Sequence, residues 1–165
     1  MRNLGVDAAL KKCREELEDI GAIKKIVGPT SSIMMFLTRY SLIKACGTVE
    51  FAYKTIISDF CDASQNQQIK NFITNKVRNS SRNPSLENIH SLLGDFDEHW
   101  VNNFKENFQS KENHDKLALS LKSLNDARND FAHGGDPTLS FENVIDYFED
   151  ACIILEVLDE IVNTP

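Results

Sequence analysis

The stretch 33–61 constrains the fold more than any other. Ile33, Phe36, Leu37, Tyr40, Ile43, Gly47, Glu50 and Phe51 recur at three- and four-residue spacing, which marks one face of a helix. Met34, Met35, Leu42, Cys46, Val49, Ile56 and Ile57 leave little of the remaining circumference polar. A helix apolar on most sides has to be surrounded, so the pattern predicts a central helix, the spine of a bundle. Gly47 would let a neighbour come close or allow a slight bend. Arg39 and Glu50 stand out on this apolar segment. Eleven residues apart, they share a face but lie about 16 Å from each other along the axis. Each is expected to find a partner on another helix or to reach the rim, with Glu50 the better candidate for a part in a site.

The rest of the chain repeats the helical period. Over about 6–27, Ala9, Leu10, Cys13, Leu17, Ile20, Ile23 and Ile26 form one apolar face, stopped by Gly28 and Pro29. Thr30, Ser31 or Ser32 can cap the spine helix. A polar turn over 62–68 precedes a short helix carrying Ile69, Phe72, Ile73 and Val77, then a loop over 79–84. Ser85 is placed to cap a helix that ends at Gly94, and a further short helix over about 97–107 carries Trp100, Val101 and Phe104. A long helix with Leu117, Leu121, Leu124 and Phe131 ends near 132, and Ser140 caps a last one through Val144, Phe148, Cys152, Leu155, Leu158 and Val162. About four long helices with short ones between and no strand pattern predict an all-α, up-and-down helical bundle.

At 165 residues the chain is expected to form one domain, 1–165, with a core of its own. No run resembles a membrane span or a secretory segment, which places the protein in the cytoplasm with no membrane partner. The four cysteines, Cys13, Cys46, Cys61 and Cys152, show no metal spacing and read as buried free thiols. Asp95, Asp97, Glu98 and His99 straddle a turn and read as a solvated acidic surface rather than metal ligands, and no metal or cofactor is expected. A net charge of −7 argues against sequence-blind affinity for nucleic acid over the whole surface, while leaving room for a local cationic pocket. Lys70, Lys76, Arg78 and Arg82 are the one basic concentration. They read first as a solvated face, and Lys76, Arg78 and Arg82 are the candidates for contacts to a nucleic-acid backbone.

The chemistry gathers at 124–135, LNDARNDFAHGG. Arg128 brings a fixed charge and a fork of donors suited to phosphate; His133 brings the side chain whose ordinary pKa lies nearest working pH. On a helix reaching Ala132, Asn129 and His133 share a face and the long Arg128 side chain can swing toward it. Gly134 offers a left-handed cap that would leave His133 at an exposed helix end. Against this stands a purely structural role: Arg128 paired with Asp126, Asp130 or a neighbouring helix, and His133 answering the helix dipole.

Arg128-Asn129, three residues and then His133 resembles the signature of HEPN domains, an arginine and a histidine four to six residues apart with a polar residue after the arginine. The 39–50 spine, RNPSLENIHSLLGDFDEHWVNNF over 82–104 and RNDFAHGG over 128–135 are similar to the RiboL-PSP-HEPN branch. The resemblance covers nearly the whole chain. It implies a metal-independent endoribonuclease of bacterial defence or toxin-antitoxin systems, with a composite site where two subunits meet as a homodimer, and an antitoxin or regulatory protein as a further partner. In that setting His133 takes a proton from an RNA 2′-hydroxyl, Arg128 stabilises charge on the phosphoryl oxygens, and Asn129 orients the imidazole or holds a phosphate oxygen. RNA rather than DNA follows from the need for that hydroxyl. Two Arg128 side chains brought together would make an empty site an anion trap. The alternative is a non-catalytic helical protein-interaction or nucleotide-binding module.

Overall fold

The computed structural model describes residues 1–62 and 66–163, and the expected polar turn over 62–68 lies partly outside them. Among the described residues the chain is an all-α bundle: α1 (Leu4–Val27), α2 (Ser32–Asp62), α3 (Gln67–Ile73) running into a π-helical turn (Thr74–Arg78), α4 (Leu86–Gly94), α5 (Glu98–Gln109), α6 (His114–Ala132) and α7 (Phe141–Val162).

Local chemistry sets the ends. Asn3 caps α1 by accepting from the Val6 amide at 3.0 Å, and α1 stops at Gly28, whose φ is 84°. Of the three candidates before α2, Ser31 does the capping, its hydroxyl accepting from the Met34 amide at 3.2 Å. Ser85 accepts from the Asn88 amide at 3.1 Å, and Ser140 forms a reciprocal capping box with Asn143.

The most enclosed helix is α7, which packs against α2, α5 and α6, while α1 lies on α2. Phe148, Ala151, Leu155 and Leu158 of α7 are fully buried with Tyr53 and Ile56 of α2 and Leu117 and Leu124 of α6. The apolar pattern of α2 therefore divides in two. Leu42, Ala45, Cys46, Val49, Ala52, Tyr53, Ile56 and Ile57 wall the core, but Ile33, Phe36, Tyr40, Ile43 and Phe51 stand exposed, Phe36 at 68%. The expectation of a fully surrounded spine is corrected here. One long side of α2 has no covering element among the described residues, and a Cβ on Gly47 would meet nothing within 4 Å.

Three of the four cysteines are buried and Cys61 is half-buried, all as free thiols. No described helix is long and apolar enough to cross a membrane.

Candidate functional site

Helix α6 stays regular to Ala132 and closes with a two-bond turn in which the Gly134 amide donates to the Phe131 carbonyl at 3.1 Å and the Gly135 amide to the Asp130 carbonyl at 2.8 Å. That Schellman arrangement needs a left-handed residue after the cap, and Gly134 supplies it with φ 87°. His133 is the cap residue itself and is exposed. A turn further back, Arg128 and Asn129 are half-buried.

Arg128 makes no ion pair among the described residues. Arg14, Arg39, Arg78 and Arg82 each meet a carboxylate, but the Arg128 Nη1 donates to neutral amide oxygens: Asn83 Oδ1 at 3.0 Å and Asn129 Oδ1 at 3.2 Å. Arg128 pairs with neither Asp126 nor Asp130. Asp126 is taken by Lys122 at 2.5 Å, and the Asp130 carboxylate folds over Gly135, so close that a Cβ there would fall 2.1 Å from its Oδ1. A guanidinium steadied by dipoles alone keeps its full charge for an incoming anion.

Asn83 completes this arrangement, and sequence reading had not singled it out. Its Nδ2 donates to Asn129 Oδ1 at 3.0 Å, so one carboxamide touches both motif residues. The loop that carries it is tied on every side. Tyr53 donates to the Arg82 carbonyl at 3.0 Å, Asn88 to the Asn83 carbonyl at 2.8 Å, Asn125 to the Pro84 carbonyl at 2.6 Å, and Lys54 to the Ser80 carbonyl. Lys54, buried, also pairs with Glu50 at 2.5 Å, so Glu50 finds its partner on its own helix rather than on another. Cys46 registers the neighbourhood. Burial pushes its thiol up to about 12, with the Arg128 charge pulling it down and the Glu50 charge pushing it further up.

Arg39 links the exposed face of α2 to the far side of the motif. It pairs with Asp136 at 2.6 Å, and its guanidinium lies 5.9 Å from the ring centroids of both Phe36 and Phe131. The basic residues of the preceding segment are more committed than their sequence suggests. Arg78 is held by Asp59 and Asp62, each at 2.6 Å, and Arg82 by Asp95 at 3.2 Å, while Lys76 is exposed with no ion pair among the described residues. Of the acidic turn, Asp97 caps α5 through the His99 amide at 2.8 Å. Among the described residues no group of three or more His, Cys, Asp or Glu side chains is placed to hold a metal ion.

An all-α bundle whose sixth helix ends in arginine, a polar neighbour and an exposed histidine has the architecture of a HEPN domain. The RiboL-PSP-HEPN family model matches residues 8–164, nearly the whole length, and the chain belongs to that family. HEPN domains as a family are associated with ribonucleases. No curated protein and no solved structure matches the chain.

Proposed function

We propose that the protein is a metal-independent endoribonuclease whose site is completed by a second copy of the chain, working in bacterial defence or a toxin-antitoxin system. The observation that carries this reading is the Arg128 guanidinium, uncompensated by any described carboxylate in an acidic protein and held by Asn83 and Asn129 one turn from an exposed His133. The neutral His133 imidazole accepts the proton of an RNA 2′-hydroxyl. The 2′-oxygen attacks the adjacent phosphorus, the bond from phosphorus to the 5′-oxygen breaks, and the leaving oxygen takes a proton from the imidazolium of the other subunit. The products are a 2′,3′-cyclic phosphate and a 5′-hydroxyl. Arg128 offsets charge building on the non-bridging oxygens, and Asn129 holds Arg128 or a phosphate oxygen.

The dimer reading is supported by the uncovered side of α2. Phe36, Tyr40, Ile43, Gly47 and Phe51 form a continuous apolar stripe, and Arg39 joins its Phe36 end to Phe131 and Asp136 beside the motif. A stripe with open space over Gly47 suits close approach of the same helix from a second copy across a two-fold axis. Beyond the site, Lys76 is the first candidate for RNA backbone contacts. Arg78 and Arg82 would join it by exchanging a carboxylate for a phosphate.

The test is cleavage of a labelled single-stranded RNA by wild type and by His133→Ala, with and without a chelator. Cutting by wild type that persists in chelator, leaves cyclic phosphate ends and vanishes in the variant is the expected result. Cutting by His133→Ala, or a requirement for metal, overturns the mechanism. A stable dimer that never cuts RNA would be the interaction module instead.

A further inference from the structure

Beside the motif, between α4, α6 and the loop that carries Asn83, lies a cavity of about 420 Å³, within the size range that takes a small organic ligand. Its apolar lining comes from Leu86, Ala118 and Leu121. Four carboxamides line it, Asn83, Asn88, Asn125 and Asn129, together with Ser85 and the charged groups of the rim, and Asn83 is already spent on Arg128 and Asn129. The hydrogen bonds of the other three inside the protein are incomplete in a patterned way. Asn125 is buried, with its Nδ2 spent on the Pro84 and Leu121 carbonyls and its Oδ1 left without any partner. Asn88 donates from Nδ2 to the Asn83 carbonyl, and its Oδ1 accepts no described hydrogen bond. Asn129 accepts at Oδ1 from Arg128 and Asn83, and its Nδ2 donates to no described group. A buried carbonyl oxygen without a donor is costly to leave unmet, so a ligand donor that reached Asn125 from the cavity would gain a bond that the protein does not supply.

The rim decides the ligand's charge. Glu87, Asp126 and Lys122 border the cavity; Lys122 is paired to Asp126, so the rim keeps one net negative charge, which disfavours a phosphate inside it, while Arg128 stands just past Asn129 and is suited to one outside. A flat ring with both donors and acceptors, attached to a phosphate that stays at Arg128, matches both halves.

We infer that this cavity is a nucleobase subsite, in which Asn88, Asn125 and Asn129 read the base next to the phosphate bound by Arg128. Two oxygens and one amide donor without a described partner favour a base with an exocyclic amino group beside a ring acceptor, as adenine and cytosine have, over uracil, which offers a carbonyl beside a ring N–H. The inference rests on the ribonuclease reading for its phosphate, but it is tested by equilibrium binding and not by cleavage.

The probes are adenosine 3′-monophosphate, uridine 3′-monophosphate and inorganic phosphate, titrated into the isotope-labelled full chain and followed through the side-chain amide signals of Asn88, Asn125 and Asn129. The adenosine nucleotide is expected to shift all three signals, inorganic phosphate to move that of Asn129 beside Arg128 and leave those of Asn88 and Asn125 in place, and the uridine nucleotide to bind about fivefold or more weakly. Asn88→Ala could loosen the loop as well as the base, so Ala118→Phe is the companion variant. It takes up cavity space while removing none of the carboxamides and should abolish the preference for adenosine while phosphate affinity stays unchanged. Equal affinity for the two nucleotides, or shifts of Asn88 and Asn125 that inorganic phosphate reproduces, would overturn the subsite. Base-selective binding by a protein that cuts no RNA would retain the subsite and remove the nuclease reading. Cutting without base-selective binding would do the reverse.

Discussion

Asn83 and Arg128 lie 45 residues apart in the chain and meet through a 3.0 Å hydrogen bond in which the guanidinium donates to the carboxamide oxygen. The same carboxamide turns its nitrogen to Asn129, so the loop before α4 fixes the direction of the motif's arginine. Replacing Asn83 with Ala removes both contacts and leaves Arg128 free to search for Asp126 or Asp130. The expected outcome is a fall in kcat of about tenfold to a hundredfold, since misaim of about an ångström costs that much, with KM little changed. Steady-state cleavage kinetics check it. A variant that alters KM alone would assign the loop to binding instead of aim.

This loop also marks where sequence reading stops. Helix starts at Ser85 and Ser140 and the left-handed residue at Gly134 were legible, because a cap bonds within three residues of itself and needs no tertiary knowledge. Asn83 was not, since an asparagine before a proline reads as turn chemistry until the fold brings it to α6. Arg78 and Arg82 read as a basic cluster because their partners Asp59, Asp62 and Asp95 are distant in the chain. The stripe on α2 was visible as apolar periodicity. Periodicity reports that a face avoids water, not whether the covering element belongs to the same molecule.

The uncovered stripe gives a direct prediction for assembly. Ile43 is 40% and Phe51 50% exposed, so Ile43→Glu and Phe51→Glu each leave the core intact while setting a charge on the face proposed to meet its symmetry mate. Sedimentation equilibrium should show dimer for wild type and monomer for either variant at the same concentration, with helix content by circular dichroism unchanged. Cleavage should fall in parallel with dimer content. A monomeric variant that still cuts at the wild-type rate would separate the stripe from the site.

The two glycines after His133 should respond differently to Ala, although they are neighbours. Gly134→Ala forces a side chain to φ 87°, an intrinsic strain of about 1 kcal/mol that no second change can relieve. Gly135→Ala instead drives a methyl into the Asp130 carboxylate, so its cost should shrink when Asp130→Ala is made as well. Urea unfolding of the three single variants and of each glycine variant combined with Asp130→Ala tests this: the Gly135 cost depends on Asp130 and the Gly134 cost does not.

His90 sets an acid limit on the fold. Its ring is packed edge-on against Phe104 with centroids 5.4 Å apart, its Nε2 is buried without a hydrogen bond, and burial, with Lys105 adding to it, holds its pKa below the ordinary 6.5. The folded state therefore keeps this imidazole neutral at pH values where the unfolded chain already binds a proton. Stability from this group is complete above about pH 6.5 and is lost as pH falls through that value toward the lowered folded pKa, at a slope of at most about 1.4 kcal/mol per pH unit. Glu16, whose pKa is lowered chiefly by its hydrogen bond with Lys44, adds a loss of the same sign, but it begins nearer the carboxylate range. The difference between wild type and His90→Phe isolates the imidazole. Urea midpoints measured from pH 8 to pH 5 should fall more steeply for wild type than for the variant below pH 6.5, and parallel curves would show that His90 titrates alike in both states.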